Sequence, residues 1–158
     1  MTTVDHLWRH FTPAGAGHIV IERGEGCYIW DSEGKRYLDA LSALYCVNIG
    51  YGPWPAMAEA AKRQVEELPF FSNWVGFEHE PALALADKLN ELLPIDVGRI
   101  FFVGGGSEAI ESALKIARQY HRLRGEPTRT KFISRRSAYH GTTLGALSIN
   151  GSPALRAQ

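Results

Sequence analysis

Cysteine, net charge and long apolar runs are all scarce in this sequence, and each shortage excludes a class of protein. Cys27 and Cys46 are its two cysteines, too few for a disulfide framework and without the spacing of metal ligands. Seventeen Lys and Arg balance seventeen Asp and Glu, which gives no support to nucleic acid or an anionic membrane as partner. No apolar run approaches the roughly 20 residues of a membrane span, and the N-terminus lacks the form of a secretory signal. We therefore expect free thiols and a soluble, cytoplasmic protein.

The central stretch of the chain has the sequence form of a strand, a tight loop and a helix. Arg99 to Val103 is aromatic and β-branched, and Gly104, Gly105 and Gly106 end this run. The residues that follow place Ile110, Ala113, Leu114 and Ala117 on one helical face, and Gly125 with Pro127 supplies the stop. A broad apolar face predicts that this helix packs on a sheet.

The glycines of this stretch permit two interpretations. Glycine lets backbone N–H groups approach a ligand closely, and the first N–H groups of a helix favour an anion, with the Ser107 hydroxyl as a further donor. The stretch is therefore either a phosphate cup or a glycine-rich turn capped by Ser107. It lacks the Gly-Lys-Ser/Thr ending of one common phosphate loop and the third glycine of the dinucleotide fingerprint.

The N-terminal half predicts a small antiparallel sheet followed by helices. An arm over residues 1–17, with a short helix-like start, precedes three strands at 18–23, 27–31 and 35–39, with the first turn at 24–26. Residues 40–55 form a loop rich in aromatics, of the kind that often lines a site. Amphipathic patterns then predict helices over 56–68 and 80–93, separated by the aromatic residues 70–77.

The stretch after the central helix predicts a second strand at residues 130–134. Strand, helix and strand together form a βαβ unit, for which we expect parallel pairing and a right-handed crossover. Residues 135–141 then leave the carboxyl end of the second strand, where ligands bind in open α/β sheets. A parallel sheet must be covered on both faces and usually has more than two strands. We therefore expect an incomplete α/β domain with exposed apolar surface, either an N-terminal fragment of a longer protein or a chain that must associate.

Four motifs, at residues 38–50, 67–71, 101–109 and 134–145, taken together in their order and spacing, resemble the N-terminal part of class III aminotransferases. These are the fold-type I pyridoxal-phosphate enzymes that include ω-amino acid:pyruvate aminotransferases. The resemblance implies an N-terminal part of residues 1–75, with the arm, meander and helix. Residues 76–158 would begin the large domain, a mostly parallel sheet with helices on both faces, and the whole protein would be a homodimer.

The resemblance also implies a site for pyridoxal 5'-phosphate. Its phosphate cup corresponds to Gly105, Gly106 and Ser107. Tyr139 resembles the aromatic residue that stacks on the pyridine ring, and His140 follows it in the same motif. Tyr45 lies where the family places an aromatic residue in the substrate pocket. A structural hydrogen bond suits His140 better than proton transfer, because the sequence gives it no identifiable carboxylate or serine partner.

The activity implied is transfer of an amino group from an amine or ω-amino acid to a keto acid such as pyruvate. No residue of this sequence matches the family's Schiff-base lysine, so we assign no catalytic residue and expect no turnover by this chain alone. Two departures stand out: Gly104-Gly105 replaces the Asn-Ser of many relatives, and Tyr51 stands where histidine is common. The lysines, all interpreted as surface residues, are Lys35, Lys62, Lys88, Lys115 and Lys131.

Two alternatives remain open from the sequence. A Rossmann-like nucleotide-binding module would share the strand, glycine loop and helix, but Arg135-Arg136 stands where an acidic ribose partner is expected. A non-catalytic dimerisation segment would explain the aromatic stretch 70–77.

Overall fold

The structure is a computed structural model that describes residues 6–13 and 15–157. The chain divides into two compact units, Met1–Phe71 and Ser72–Gln158. The first holds strands β1 (Ile21–Glu25), β2 (Tyr28–Asp31) and β3 (Arg36–Leu38) with helices α1 (Ser42–Tyr45) and α2 (Pro55–Glu67). The second holds helices α3 (Glu80–Leu92), α4 (Gly106–Leu123), α5 (Leu144–Ser148) and α6 (Pro153–Arg156).

The antiparallel meander predicted for the first unit is confirmed, in the order β1-β2-β3. Its first turn differs from the prediction, because β1 continues through Glu25, which pairs with Tyr28. The turn is therefore made by Gly26 and Cys27, and Gly26 has a φ of 58°. Glycine suits this position because a side chain is strained there. Of the predicted arm, residues 1–5 and 14 lie outside the described residues, and the rest contains no helix.

Asp31 closes the second turn of the meander. Its carboxylate accepts hydrogen bonds from the backbone N–H groups of Glu33 (3.0 Å) and Lys35 (2.9 Å) and from the Tyr37 hydroxyl (2.7 Å). The residue is 7% exposed. A buried carboxylate needs such partners, so this network fixes the turn between β2 and β3.

Helix α1 is a single left-handed turn. Its residues Ser42, Ala43, Leu44 and Tyr45 have φ values of 51°, 44°, 62° and 67°. Left-handed turns of non-glycine residues cost roughly 1–2 kcal/mol per residue, so neighbouring contacts must stabilise this one. The Asp39 carboxylate provides them by accepting hydrogen bonds from the N–H groups of Leu41 (3.1 Å) and Ala43 (2.8 Å).

Helices α2 and α3 match the amphipathic patterns of the sequence. Each has a proline in its first turn, where the missing N–H is no loss. In α3 the residues Ala82, Ala86 and Leu89 form a half-buried stripe. In α2 the apolar side chains of Met57 and Val65 stay exposed. The helix is thus formed as predicted, but its apolar face is not covered within the described residues.

Helix α4 ends at the predicted stop. Gly125 has a φ of 80°, its N–H donates to Arg122 O (3.1 Å), and Glu126 N donates to His121 O (2.9 Å). Glycine in this left-handed position satisfies the last carbonyl groups of a helix. The half-buried residues of α4 include Ser107, Ile110, Glu111, Leu114 and Ala117, which recur at helical spacing along one face.

The two strands predicted to flank α4 are not formed. Residues 99–103 and 130–134 pair neither with each other nor with any other described segment. A strand exists only through its neighbour's hydrogen bonds, and strands joined by a crossover helix need not be adjacent. The predicted βαβ pairing, and the packing of α4 on a sheet, are therefore wrong for the described residues.

Apolar side chains remain exposed in each of the two units, as predicted from the sequence. Ala146 is the fully buried apolar residue of the described chain, whereas Phe70, Trp74 and Val75 are 79%, 72% and 80% exposed. No helix among residues 6–13 and 15–157 is long and apolar enough to cross a membrane.

Candidate active site

The cup at the start of α4 has free backbone donors. The first bond of the helix runs from Ala109 N to Gly105 O (3.0 Å). Within the described part of the chain, the N–H groups of Gly106, Ser107 and Glu108 therefore have no backbone acceptor. Three donors at the positive end of an 18-residue helix form a binding position for an anion.

Ser107 joins this cup to the loop that follows residue 138. Its Oγ accepts a hydrogen bond from Thr142 N (3.1 Å), which leaves the hydroxyl proton of Ser107 to be donated elsewhere. Gly141 lies against the same side chain, because a Cβ at Gly141 would be 2.5 Å from Ser107 Oγ. Gly141 also has a φ of 121°. The close approach of the loop to the cup thus requires glycine at this position.

Glu111, one helical turn beyond Ser107, holds the start of α5. Its Oε1 accepts hydrogen bonds from Gly145 N (2.7 Å) and Ala146 N (3.3 Å), whereas Thr143 at the N-cap forms no capping bond. The Thr143 hydroxyl first, and then these N–H groups, lower the pKa of Glu111 below its ordinary value. The Thr143 hydroxyl lies beside the carboxylate but outside hydrogen-bonding geometry. Ser107 and Glu111 therefore fix the loop and α5 from one face of α4.

Asn150 and Gly151 hold the same loop through further hydrogen bonds. Asn150 is fully buried. Its Oδ1 accepts from His140 N (2.8 Å), and its Nδ2 donates to Gly141 O (2.8 Å) and Ala146 O (3.3 Å). Asn150 is not predictable as a site residue from the sequence, because an Asn-Gly pair is a general turn signal that says nothing about burial.

Tyr139 and His140 lie in this fixed loop with different surroundings. The side chain of Tyr139 is 60% exposed. His140 is half-buried, and its Nε2 is buried with no hydrogen-bond partner. The structural hydrogen bond expected of the His140 side chain stays a prediction. All five cofactor-binding candidates, in the cup and in this loop, belong to the second unit: Gly105, Gly106, Ser107, Tyr139 and His140.

Tyr45 belongs to the first unit and is presented on the left-handed turn α1. Its side chain is 74% exposed. The turn is anchored through Asp39, whose Oδ2 accepts from the Tyr51 hydroxyl (2.5 Å). Tyr51 is itself bonded to Gly26 by two backbone hydrogen bonds (2.7 and 2.9 Å). Tyr51 therefore ties the Tyr45 turn to the meander.

The charges of this anchor are mutually stabilised. The Tyr51 hydroxyl is the main cause that lowers the pKa of Asp39, and the backbone N–H groups of the turn add to it. The Asp39 carboxylate in return raises the pKa of Tyr51. Asp39 is thus held as the anion and Tyr51 as the neutral phenol, the two forms that their hydrogen bond requires.

A groove lies elsewhere on α4. It has a volume of about 900 Å³ and is lined by Lys115, Arg118 and Arg122 together with Phe132. It includes neither Ser107 nor Tyr139, and a groove without convergent N–H donors is a weaker candidate than the cup. No group of His, Cys, Asp and Glu suited to a metal occurs among the residues that the structure describes.

The fold and the motifs define a protein of fold type I, and the chain belongs to the class-III aminotransferase family, whose model matches residues 11–157. It is 51% identical over 158 residues to a "probable aminotransferase" of Mycobacterium tuberculosis, covering 99% of this chain and 34% of the relative. It is 40% identical over 142 residues to putrescine–pyruvate aminotransferase of Pseudomonas aeruginosa, covering 90% and 31%.

Solved structures agree with this family. The omega transaminase of Pseudomonas jessenii in complex with PMP superposes with a TM-score of 0.90 at 34% identity, over 96% of this chain and 34% of that one. The chain thus spans about a third of the length of the relatives it matches. Family membership favours the aminotransferase interpretation over the Rossmann-like alternative.

Proposed function

We propose that this chain supplies the phosphate cup and the ring-stacking loop of a pyridoxal-phosphate-dependent class III aminotransferase. The observation that carries the proposal is the Ser107–Thr142 hydrogen bond of 3.1 Å. It brings together two motifs that lie 35 residues apart and that bear the expected phosphate and ring contacts. A capped turn alone would give no reason for this second loop to lie against the cup.

The residues present fit a phosphate group. An added Cβ at Gly104 or Gly106 would meet nothing within 4 Å, so the backbone there is open to a ligand. The free N–H groups of Gly106 and Ser107 supply donors, and the Ser107 hydroxyl adds its proton because its oxygen already accepts from Thr142. The O–H of Ser107 is therefore left to donate to the anion.

One residue opposes the anion in this arrangement. The Glu108 carboxylate folds back over the cup, since a Cβ at Gly105 would lie 2.7 Å from Glu108 Oε2. A carboxylate in the first turn stabilises the helix end when no ligand is present. Because Glu108 is exposed, its side chain is free to rotate into solvent when a phosphate enters.

Tyr139 and His140 would serve the ring of the cofactor. The exposed phenol of Tyr139 offers an aromatic face, and stacked rings are worth about 0.5–1.5 kcal/mol beyond their buried area. The buried, unpaired Nε2 of His140 is a polar atom that still lacks a partner. Bound pyridoxal phosphate supplies the electron sink of amino transfer, while these residues bind and orient it.

For substrates we propose an amine or ω-amino acid as donor and a keto acid such as pyruvate as acceptor. The relative named putrescine–pyruvate aminotransferase and the omega transaminase structures support this class. We propose that Tyr45 lies in the substrate pocket. We also propose that the complete enzyme is a cytoplasmic homodimer. Every lysine of the chain is exposed to solvent, unlike the desolvated amine that this chemistry needs. We accordingly propose that this chain alone gives no turnover.

The binding part of the proposal is tested by titrating the chain with pyridoxamine phosphate, which needs no lysine. We expect saturable binding that Ser107→Ala weakens about fivefold by loss of one phosphate donor. Ser112→Ala, on the same helix but away from the cup, is the matched control. Wild-type chain without saturable binding, or equal affinity for the Ser107 variant, would contradict the proposal.

The catalytic part is tested by incubating the chain with pyridoxal phosphate, an amine and pyruvate. The expected rate of alanine formation equals the background of free cofactor. Turnover above that background would disprove the proposal that no reacting lysine is present.

A further inference from the structure

We propose that Asn150 is a positioning residue that presents the Tyr139 ring by holding the backbone on both sides of it. The inference rests on the proposed function for the role of the ring, but the contacts themselves are independent of any ligand.

The backbone groups on either side of Tyr139 are bonded to the same short segment. Before Tyr139, the carbonyl oxygen of Ala138 accepts from Gly151 N (2.8 Å). After Tyr139, the N–H of His140 donates to Asn150 Oδ1 (2.8 Å). Residues 150–151 thus grip the residue before Tyr139 and the residue after it. The side chain between them stays exposed, which is the arrangement expected of a ring held out for a ligand.

Asn150 also extends the grip toward the cup. Its Nδ2 donates to Gly141 O (2.8 Å), and Gly141 is the residue that lies against Ser107. The second Nδ2 bond, to Ala146 O (3.3 Å), fastens the amide to α5. One fully buried side chain therefore acts on the loop and on α5 at once.

The chemistry of this position calls for an amide. Asparagine presents an acceptor and two donors, and the loop requires one acceptor for His140 and donors for two carbonyl groups. Aspartate has the same shape but no donor hydrogens when ionised, and leucine has similar size but neither function. Because a buried polar group left without a partner is unfavourable, each change unfastens a defined part of the loop.

Gly151 completes the arrangement by its lack of a side chain. A Cβ at this position would come within 2.5 Å of Ala138 N and 2.6 Å of Ser137 N. The backbone of residue 151 therefore lies directly beneath the turn at residues 135–138. Asn150 and Gly151 act as a pair, because the bonds to His140 N and Ala138 O both require the backbone of residues 150–151 to pass close to the loop.

The first test measures the loop without a ligand. In Asn150→Leu, amide hydrogen exchange at His140 should quicken at least about fivefold through loss of its acceptor, while Asn150→Asp should keep most of that protection. Asn90→Asp is the matched control, because Asn90 also accepts a backbone N–H bond, from Val97, but is exposed and remote from the loop. Unchanged exchange at His140 in a folded Asn150→Leu chain would overturn the proposal.

The second test measures the ring. Binding of pyridoxamine phosphate to the chain is followed by NMR, through its affinity and the ring-current shift of its methyl protons. We expect Asn150→Asp to weaken binding about fivefold and to reduce the ring-current shift, as Tyr139→Leu does, with Asn90→Asp unchanged. A merely structural effect would lower affinity without altering the shift at saturation.

The two proposals fail separately. Wild-type chain that does not bind pyridoxamine phosphate contradicts the proposed function, and the exchange test then decides the grip on the loop. If the wild-type chain binds and the ring-current shift in Asn150→Asp equals that of wild type, the positioning role alone is contradicted. If Asn150→Leu does not fold, Asn150→Asp carries both measurements, with faster exchange expected at the amides of residues 141–142 as Gly141 loses its donor.

Discussion

At the scale of single residues, the site depends on a few positions that accept only one residue type. Gly141 is the clearest of these, since a methyl group there would enter the space of Ser107 Oγ at 2.5 Å and Ser107 Cα at 3.0 Å. Its φ of 121° adds a conformational penalty for any other residue. The cup and the loop therefore meet only because residue 141 has no side chain.

Gly141→Ala should destabilise the second unit by about 1–3 kcal/mol, through backbone strain and the contact with Ser107. Urea unfolding followed by far-ultraviolet circular dichroism measures the change. Gly104→Ala is the matched control, because a Cβ there meets nothing within 4 Å, and its effect should stay within about 0.5 kcal/mol. Equal stability of the two variants would show that the loop does not lie against Ser107.

The Asp39–Tyr51 pair gives a pH dependence at the same scale. A carboxyl whose pKa is lowered in the folded chain stabilises the fold fully above its unfolded pKa of about 3.9 and loses this effect as the pH falls through the lowered value. Tyr51→Phe removes the main cause, so the titration of Asp39 should move to higher pH.

Carboxyl ¹³C NMR of Asp39 measures this shift. The matched control is Tyr37→Phe, which should raise the pKa of Asp31 instead, because the Tyr37 hydroxyl is the main cause that lowers it. If Tyr51→Phe leaves the pKa of Asp39 unchanged, Tyr51 does not anchor the left-handed turn.

At the scale of elements, α5 is too short to stabilise itself. It has five residues and no cap from its own Thr143, and Glu111 of α4 supplies the missing acceptor. A short helix is marginal without tertiary contacts. The start of α5, and the loop before it, therefore depend on a carboxylate from a different helix.

Glu111→Gln should loosen α5 without unfolding α4. The neutral amide is a weaker acceptor, so amide exchange at Gly145 and Ala146 should quicken severalfold, and the same loss should occur in wild type as the pH falls through the lowered pKa of Glu111. Glu108→Gln is the control, since Glu108 is exposed and the N–H groups of Gly145 and Ala146 donate to Glu111 instead. Equal protection in both variants would contradict the capping role.

Elements whose signals are local were predictable from the sequence. Proline in the first turn, helical periodicity and Gly125 locate α3 and α4 within a residue or two, because the forces that begin and end a helix act over a single turn. Residues 99–103 and 130–134 have the composition of strands, but a strand also needs a partner, which composition does not reveal. The predicted pairing failed for that reason.

Only some residues of the candidate site carry a signal in the sequence. Glycines, Ser107 and Tyr139 are recognisable because their residue types suit a chemistry. Asn150 and Glu111 act through contacts with loops that are distant in sequence, and nothing local marks them. The resemblance to the family located the first group, while the second required the structure.

At the scale of the whole molecule, exposed apolar surface is the dominant feature. Large side chains of the segment 70–77 stand mostly in solvent, among them Phe70, Trp74 and Val75. Contiguous exposed apolar residues mark association surfaces. The dimerisation role considered from the sequence therefore remains a prediction for this segment.

The purified chain should associate reversibly, with a weight-average mass in sedimentation equilibrium that rises with concentration. Trp74→Ser should shift the association to higher concentration by about tenfold, the effect of losing a large aromatic contact. Leu123→Ser provides the control, because Leu123 is 79% exposed at the far end of α4. A folded wild-type monomer at all concentrations would exclude the segment as an interface.

The hydrogen bonds that hold the Tyr139 loop also have a consequence for folding during synthesis. The bonds that fix the loop reach back to Ser107 and Glu111, at most 35 residues away, and forward only to residues 150 and 151. Contacts so close in sequence form quickly and early. Once residue 151 has left the ribosome, the tyrosine loop has every partner described here. The proposed cofactor cradle can therefore form before the residues that follow position 151 have been synthesised.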